Sequence, residues 1–299
     1  MADTNTIYGV TGASGKLGRE VLDLLLDEQR VPAANLVAIT RDPSKLSAYA
    51  ARGVQVRAGD FEKPESLPAA FGGVQRLLMI STDAVDRPGR RVQQHRNAID
   101  AAKAAGVRHV VYTSMVAPDE ASPVPFAVDH RLTEEALAQS GLEYTSLRMM
   151  WYMEGLVARV GQALATGKWV TTAAEEKTAN IAHMDCARAA AAALVSSEGG
   201  KRVMDMTGGE AHSVSEIAAT LTKLTGKPIE VVHVTPEQYE EGLKAAGLPP
   251  FVIPIVWGID VNTRMGRAGK VSGEYEKLTG RKPTPFKDWL DANKKSFTG

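Results

Sequence analysis

The chain has 299 residues, 44% of them apolar and 23% charged, with 35 Lys plus Arg balanced by 35 Asp plus Glu. That zero formal charge argues against a nucleic-acid footprint in an otherwise ordinary globular composition. The lone cysteine, Cys186, excludes an intrachain disulfide framework and points to a reducing compartment. With no signal-peptide pattern at the N-terminus and no apolar run of membrane-spanning length, the expectation is a cytoplasmic protein without a membrane or nucleic-acid partner.

Short β-rich runs alternate with amphipathic stretches through the first half, the pattern of stacked βαβ units. Strands are predicted at 6–11, 36–40, 54–57, 76–81, 109–114 and 144–147, as the continuous apolar runs of strands covered on both faces. Helices are predicted between them at 16–29, 43–52, 64–71, 90–105 and 126–140. In the first helix Leu17, Val21, Leu24 and Leu25 recur at helical spacing, and Gly106 and Gly141 stop the last two. After about residue 148 the pattern becomes irregular. Two helices still stand out: 185–196, nearly all Ala, and 215–224, which Ser213 and Glu216 open with a capping box. The Arg-rich stretch 87–96 reads as a solvated helix start.

Gly12, Gly15 and Gly18, interleaved with Ser14, Lys16 and Leu17, follow the first strand directly and open the first helix. Three glycines alone serve ordinary tight turns, but in a βαβ unit they let backbone N–H groups approach a pyrophosphate at a helix N-terminus. A dinucleotide site is therefore expected. The fold class is α/β, a Rossmann-type doubly wound parallel sheet: residues 1–148 form the NAD(P)-binding domain and 149–299 a smaller, partly interleaved α/β region that binds substrate. At the end of the second strand an NAD-preferring site would place an acid for the ribose hydroxyls. Here Arg41 follows Thr40 instead, suited to clasp a 2′-phosphate, with Asp42 read as a cap for the helix beginning at Pro43. The expected cofactor is NADPH in preference to NADH.

Several stretches in order add a resemblance: the glycine turn, Ala38 to Pro43, Gly59-Asp60-Phe61, Gln94 to Asn97, Ala101 to Val107, Tyr112-Thr113-Ser114, Asp129-His130, Thr133-Glu134 and Trp151-Tyr152. Together they resemble the NmrA-like group of atypical short-chain dehydrogenases/reductases, most of all the type 2 NAD(P)H:quinone oxidoreductases and triphenylmethane reductases. The likeness runs along the whole chain and loosens after residue 200. It implies that Asp60 and Phe61 flank the adenine, Phe61 having a core aromatic as its alternative. It implies also that Ser81 and Thr82 line the ribose side of the crevice between strands one and four, and that Thr113 and Ser114 lie at the end of the fifth strand beside it.

Ordinary members of that superfamily carry a Tyr-x-x-x-Lys pair whose tyrosine protonates a reduced carbonyl. Aligned on Glu134, those positions hold Phe126 and His130. Ketone reduction builds an alkoxide whose conjugate acid is about as weak as water, roughly 15.7. Reduction of a quinone builds a phenolate-like anion with a conjugate acid near 10, roughly that of tyrosine, and a cationic dye needs no proton at all. The chemistry left open is hydride transfer to a quinone or similar conjugated aromatic acceptor. His130 is the candidate catalytic group and a candidate ligand of the nicotinamide ribose; a satisfied structural histidine is its alternative. Met149, Trp151 and Tyr152 are the candidate acceptor wall or plain core, with Phe251 and Trp257 considered for the other side.

No metal-ligand spacing links the six histidines with each other or with Cys186, and no Gly-x-Ser-x-Gly or GK[ST] motif occurs. A homodimer is compatible with the chain. Rival readings are a non-catalytic NAD(P)-sensing regulator of the NmrA type and a reductase of cationic dyes or imines.

Overall fold

The computed structural model describes residues 5–298; residues 1–4, which belong to the segment read for a signal pattern, lie outside them. Strands β1 (Tyr8–Val10), β2 (Leu36–Thr40), β3 (Gln55–Ala58), β4 (Arg76–Met79), β5 (His109–Met115) and β6 (Glu143–Met149) coincide with the six predicted runs to within a few residues. Three further strands come from the irregular half: β7 (Lys168–Thr171), β8 (Lys201–Met206) and β9 (Glu230–His233). The main sheet is parallel throughout, in the order β3-β2-β1-β4-β5-β6-β8, while β7 and β9 form a separate parallel pair. The order reverses between β1 and β4, so the crevice opens beyond the carboxyl ends of those strands.

Helices cover both faces. In chain order they are α1 (Lys16–Asp27), α2 (Ser47–Ala51), α3 (Leu67–Phe71), α4 (Arg90–Ala104), α5 (Ala127–Ser140), α6 (Leu156–Thr166) and α7 (His183–Val195). They continue with α8 (Val214–Thr225), α9 (Pro236–Ala245), α10 (Ile253–Arg264), α11 (Glu274–Thr279) and α12 (Phe286–Thr298). One face packs Leu17, Val21 and Leu25 of α1 with the alanines of α7; the other packs Phe71 of α3, Ile99 of α4 and Leu137 of α5. The Ala run explains itself here: nine of the thirteen α7 residues are buried, and methyl-sized side chains let the helix lie close against α1 and the sheet. Thus α7 and β8 return to the main sheet from the second half of the chain. The remaining C-terminal elements build their own core around Val160, Trp169, Leu221, Trp289 and Leu290.

The predicted capping box is present, with Ser213 accepting from the Glu216 amide and the Glu216 carboxylate accepting from Ser213 N–H. A second one, Thr235 with Gln238 after Pro236, opens α9. The sequence signal for it was the same. The solvated-start reading of 87–96 needs correction. Arg87 and Arg90 do reach solvent, but Arg91, Gln94 and His95 occupy the inward stripe of α4 and are buried. Arginine count hides the three- and four-residue spacing that decides which face each side chain takes.

Candidate functional site

β1 ends at the glycine turn, and each glycine there answers a different constraint. Gly12 adopts φ +59°, which side chains with a Cβ rarely tolerate. A Cβ on Gly18 would stand 2.4 Å from the Gly12 carbonyl oxygen and 2.7 Å from Ala13 Cα, because the first turn of α1 lies directly on the loop. Gly15 is the N-cap of α1 and, having no side chain, offers no cap hydrogen bond; the first turn carries no acid either. The orphan N–H groups and partial positive charge of this twelve-residue helix therefore face the crevice unopposed. Leu17 points into the core, whereas Lys16 is exposed, its Nζ 4.0 Å from Glu20. Ser14 Oγ lies 2.9 Å from Thr40 Oγ1. Arg19, which sequence reasoning missed, braces the turn by donating from Nε to the Ser14 carbonyl at 3.0 Å and from Nη2 to the Lys45 carbonyl at 2.7 Å.

Arg41 is exposed beyond β2 and makes no ion pair among the described residues. Asp42 is occupied as a cap, its Oδ1 accepting from the Ser44 amide at 3.1 Å and the Ser44 hydroxyl at 2.6 Å. After β3, Asp60 is half-buried and accepts from the Glu62 amide. Phe61 is packed into the core beneath it, its carbonyl accepting from Asn97 Nδ2 at 2.8 Å. The far wall is held by hydroxyls that replace ladder partners where β4 diverges. Ile80 N–H donates to Thr11 Oγ1 at 3.1 Å and Ser81 N–H to Thr113 Oγ1 at 2.8 Å. This is why β4 stops at Met79, two residues before its predicted end. Thr82 donates from its amide to His95 Nε2 and from its hydroxyl to Gln94 Oε1, tying the wall to α4.

Phe126 and His130 stand where the alignment puts them, at the start of α5. His130 is 5% exposed, with Nδ1 2.8 Å from the Tyr112 hydroxyl and Nε2 3.3 Å from Arg91 Nη1. A guanidinium can only donate, so Nε2 accepts and Nδ1 carries the proton toward Tyr112. Burial, then the Arg91 charge, holds the imidazole well below its ordinary pKa, and neither nitrogen is left for a ligand. Arg91, 8% exposed, lies over the Phe126 ring at 5.6 Å with its Nε unpartnered. Ser114 Oγ, at the end of β5, is also buried without a partner. Sequence reasoning passed over Arg91 because its three- and four-residue spacing to Gln94 and His95 was masked by the run of arginines around it.

Beyond β6, Trp151 and Tyr152 form one wall of a cavity of about 860 Å³ between the main sheet and the C-terminal elements. Met149 does not reach it: the side chain is core, capped by the Tyr152 hydroxyl at 3.5 Å from Sδ. Tyr152 packs edge-on against His183, whose Nδ1 lies 2.6 Å from Glu20 of α1, so glycine helix and cavity wall are mechanically linked. Phe251 is 74% exposed, and Trp257 donates its indole N–H to the Pro236 carbonyl. The lining is completed instead by residues that include Arg159, Trp169, Tyr239, Ile259 and Asp260. No group of three or more His, Cys, Asp or Glu able to hold a metal occurs among the described residues, and no helix there is long and apolar enough to cross a membrane.

Known proteins match this arrangement. A family described as NAD(P)H-binding matches residues 12–197. Quinone oxidoreductase 2 of Escherichia coli strain K12 is 39% identical over 280 residues, 93% of this chain and 95% of the relative. The structure of an NADPH-dependent quinone oxidoreductase from Escherichia coli, complexed with NADPH, superposes with a TM-score of 0.89 at 35% identity, covering 96% of this chain and 99% of that one. The triphenylmethane reductase of Citrobacter sp. complexed with NADP(H) gives 0.86 at 33% identity over 96% and 99%.

Proposed function

The chain belongs to the NAD(P)H-binding, NmrA-like family, and on that premise we propose that it is an NADPH-dependent reductase of quinones. The observation that carries this reading is the pairing of an open phosphate-binding helix end with a crevice in which neither Phe126 nor His130 can deliver a proton. Phe126 has nothing to donate, and His130 stays neutral with both nitrogens engaged. The residues present fit the dinucleotide. The uncapped α1 N-terminus suits a pyrophosphate, and the orphan Arg91 Nε and Ser114 Oγ suit polar groups at the nicotinamide end. Bound there, NADPH would supply a hydride, that is two electrons with one proton. A quinone that takes up that hydride becomes the hydroquinone anion, whose remaining proton comes from water because no side chain has to deliver it. The protein's contribution is alignment, with Trp151 as a flat wall for the acceptor.

In this reading His130 is a positioning residue. It fixes Arg91, and Arg91 holds Phe126 and the nicotinamide side of the crevice. His130→Ala is expected to raise the KM for NADPH several-fold more than it lowers kcat, and to leave kcat flat between pH 5.5 and 8.5. A wild-type kcat profile with an ionisation in that window that disappears in the variant would return His130 to proton transfer.

Arg41 is read as the clamp for the 2′-phosphate. One or two charge-assisted hydrogen bonds are worth about 1.5–3 kcal/mol, so Arg41→Ala should weaken NADPH about 10- to 100-fold and barely change NADH. Equal losses for both cofactors in paired titrations would sink the clamp.

The test of the reaction follows NADPH absorbance with a small uncharged naphthoquinone, then with a cationic triarylmethane dye. Rapid oxidation by the quinone is expected. Oxidation by the dye alone would assign the dye-reductase reading, and tight NADPH binding with no oxidation by either would assign a sensor.

A further inference from the structure

The cavity beyond Trp151 and Tyr152 is far from uniformly apolar. Asp260, 2% exposed, accepts from four donors: the Thr171 hydroxyl, the Thr172 amide at 2.6 Å, the Thr172 hydroxyl at 2.8 Å and Arg159 Nη2 at 2.6 Å. Arg159 also donates from Nη2 to the Tyr239 hydroxyl at 2.5 Å, and its guanidinium lies over the Trp169 ring at 5.9 Å. A guanidinium carries five N–H donors. Two are spent through Nη2, and the other three, on Nε and Nη1, have no partner among the described residues. The carboxylate cannot serve them, since its oxygens are already shared among three neutral donors besides the arginine.

Arg159 is thus held in one orientation by an acid, a phenol and an indole face, with unpaired donors on the wall of a cavity of about 860 Å³. That volume is in the range of about 300–1,000 Å³ that accommodates small organic ligands. A fixed cation with spare donors selects a charge-complementary group, because orientation has been settled before binding. We propose that Arg159 is a specificity-determining residue that binds a carboxylate on the far end of the acceptor, so that the preferred substrates are flat aromatic acceptors bearing an acidic substituent. The inference rests on the acceptor reading above, which puts the reacting ring against Trp151, and extends it to the other end of the same cavity.

Calorimetric titration of the NADPH-saturated protein with naphthalene-2-carboxylate and with the neutral isostere naphthalene-2-carboxamide tests it. The carboxylate is expected to bind at least tenfold more tightly to the wild type, and to compete with a neutral quinone during turnover. In Arg159→Gln the preference should shrink to threefold or less. Arg159→Lys keeps a cation beside Asp260 but loses the Nε and Nη1 donors, and should fall between the two; it carries the comparison if the glutamine variant does not fold. Equal affinity of the two ligands for the wild type, or a preference that survives both substitutions, overturns the proposal. Turnover of the neutral quinone by the wild type is scored separately. Quinone reduction with no carboxylate preference removes the Arg159 site and keeps the reductase, whereas carboxylate preference with no quinone reduction removes the quinone reading and keeps the anion site.

Discussion

Gly18→Ala is expected to raise the dissociation constant for NADPH by about 100-fold and to destabilise the fold by about 1–3 kcal/mol. The added methyl would stand 2.4 Å from the Gly12 carbonyl oxygen and 2.7 Å from Ala13 Cα. Both are backbone atoms, so neither can rotate away; the turn and α1 must separate. Separation moves the N-terminal amides of α1 off the pyrophosphate, and two hydrogen bonds to a charged group are worth about 3 kcal/mol together, which is the 100-fold. Gly15→Ala is the matched control. Its Cβ would meet the Gly12 oxygen at 3.2 Å, and φ there is −74°, open to any residue. Its stability cost should be under about 1 kcal/mol. Fluorescence titration with NADPH and thermal unfolding of the two variants decide the point. Gly18→Ala with unchanged affinity would show that the helix end does not hold the phosphates.

Stability is expected to fall steeply as pH drops from 6.5 toward 4. Three buried histidines are held neutral in the folded protein: His95 at about 3, by burial and then the Arg91 charge; His109 at about 4, by burial and then the Arg76 charge; and His130 well below its ordinary value. In the unfolded chain each titrates near 6.5, roughly the free value. Below that pH the unfolded state binds protons that the folded state refuses, so the stability present above 6.5 is lost as pH falls toward the folded pKa values. Each histidine contributes a slope of about 1.4 kcal/mol per pH unit, and all three about 4 kcal/mol per unit, against a typical total of about 5–15 kcal/mol. Asp129, whose pKa burial raises, works in the opposite sense, but only once it titrates in the carboxylate range. Urea unfolding at pH 7, 6 and 5 measures the slope. His109→Gln, which can still pair with the Thr145 hydroxyl at 2.9 Å in the wild type, should remove about a third of it. A slope that the substitution leaves intact would show that His109 titrates alike in both states.

The sequence by itself determined the parallel sheet's first six strands, the helices between them and the glycine turn that joins β1 to α1. All of these rest on interactions between near neighbours: apolar runs, helical spacing, and glycines at the junction of one strand with one helix. It also determined that the tyrosine and lysine of the ordinary reductases are missing at Phe126 and His130. What replaced them was decided by tertiary structure. Arg91 and His130 are 39 residues apart in the chain and meet only because α4 and α5 pack side by side on one face of the sheet. Apart from α7 and α8, which the Ala run and the capping box announced, the C-terminal elements were illegible for the same reason. β8 opens on Lys201 and Arg202 and buries only Met204 and Met206, too weak a pattern to announce a strand, and its outer side is covered by Glu274, which accepts from the Asp205 amide across 69 residues. Arg159 and Asp260, 101 residues apart, look like two ordinary surface charges until α6 and α10 bring them together. A local pattern can announce where a backbone will accept a phosphate; only the closed fold decides which charges lose their water and what they must then bind.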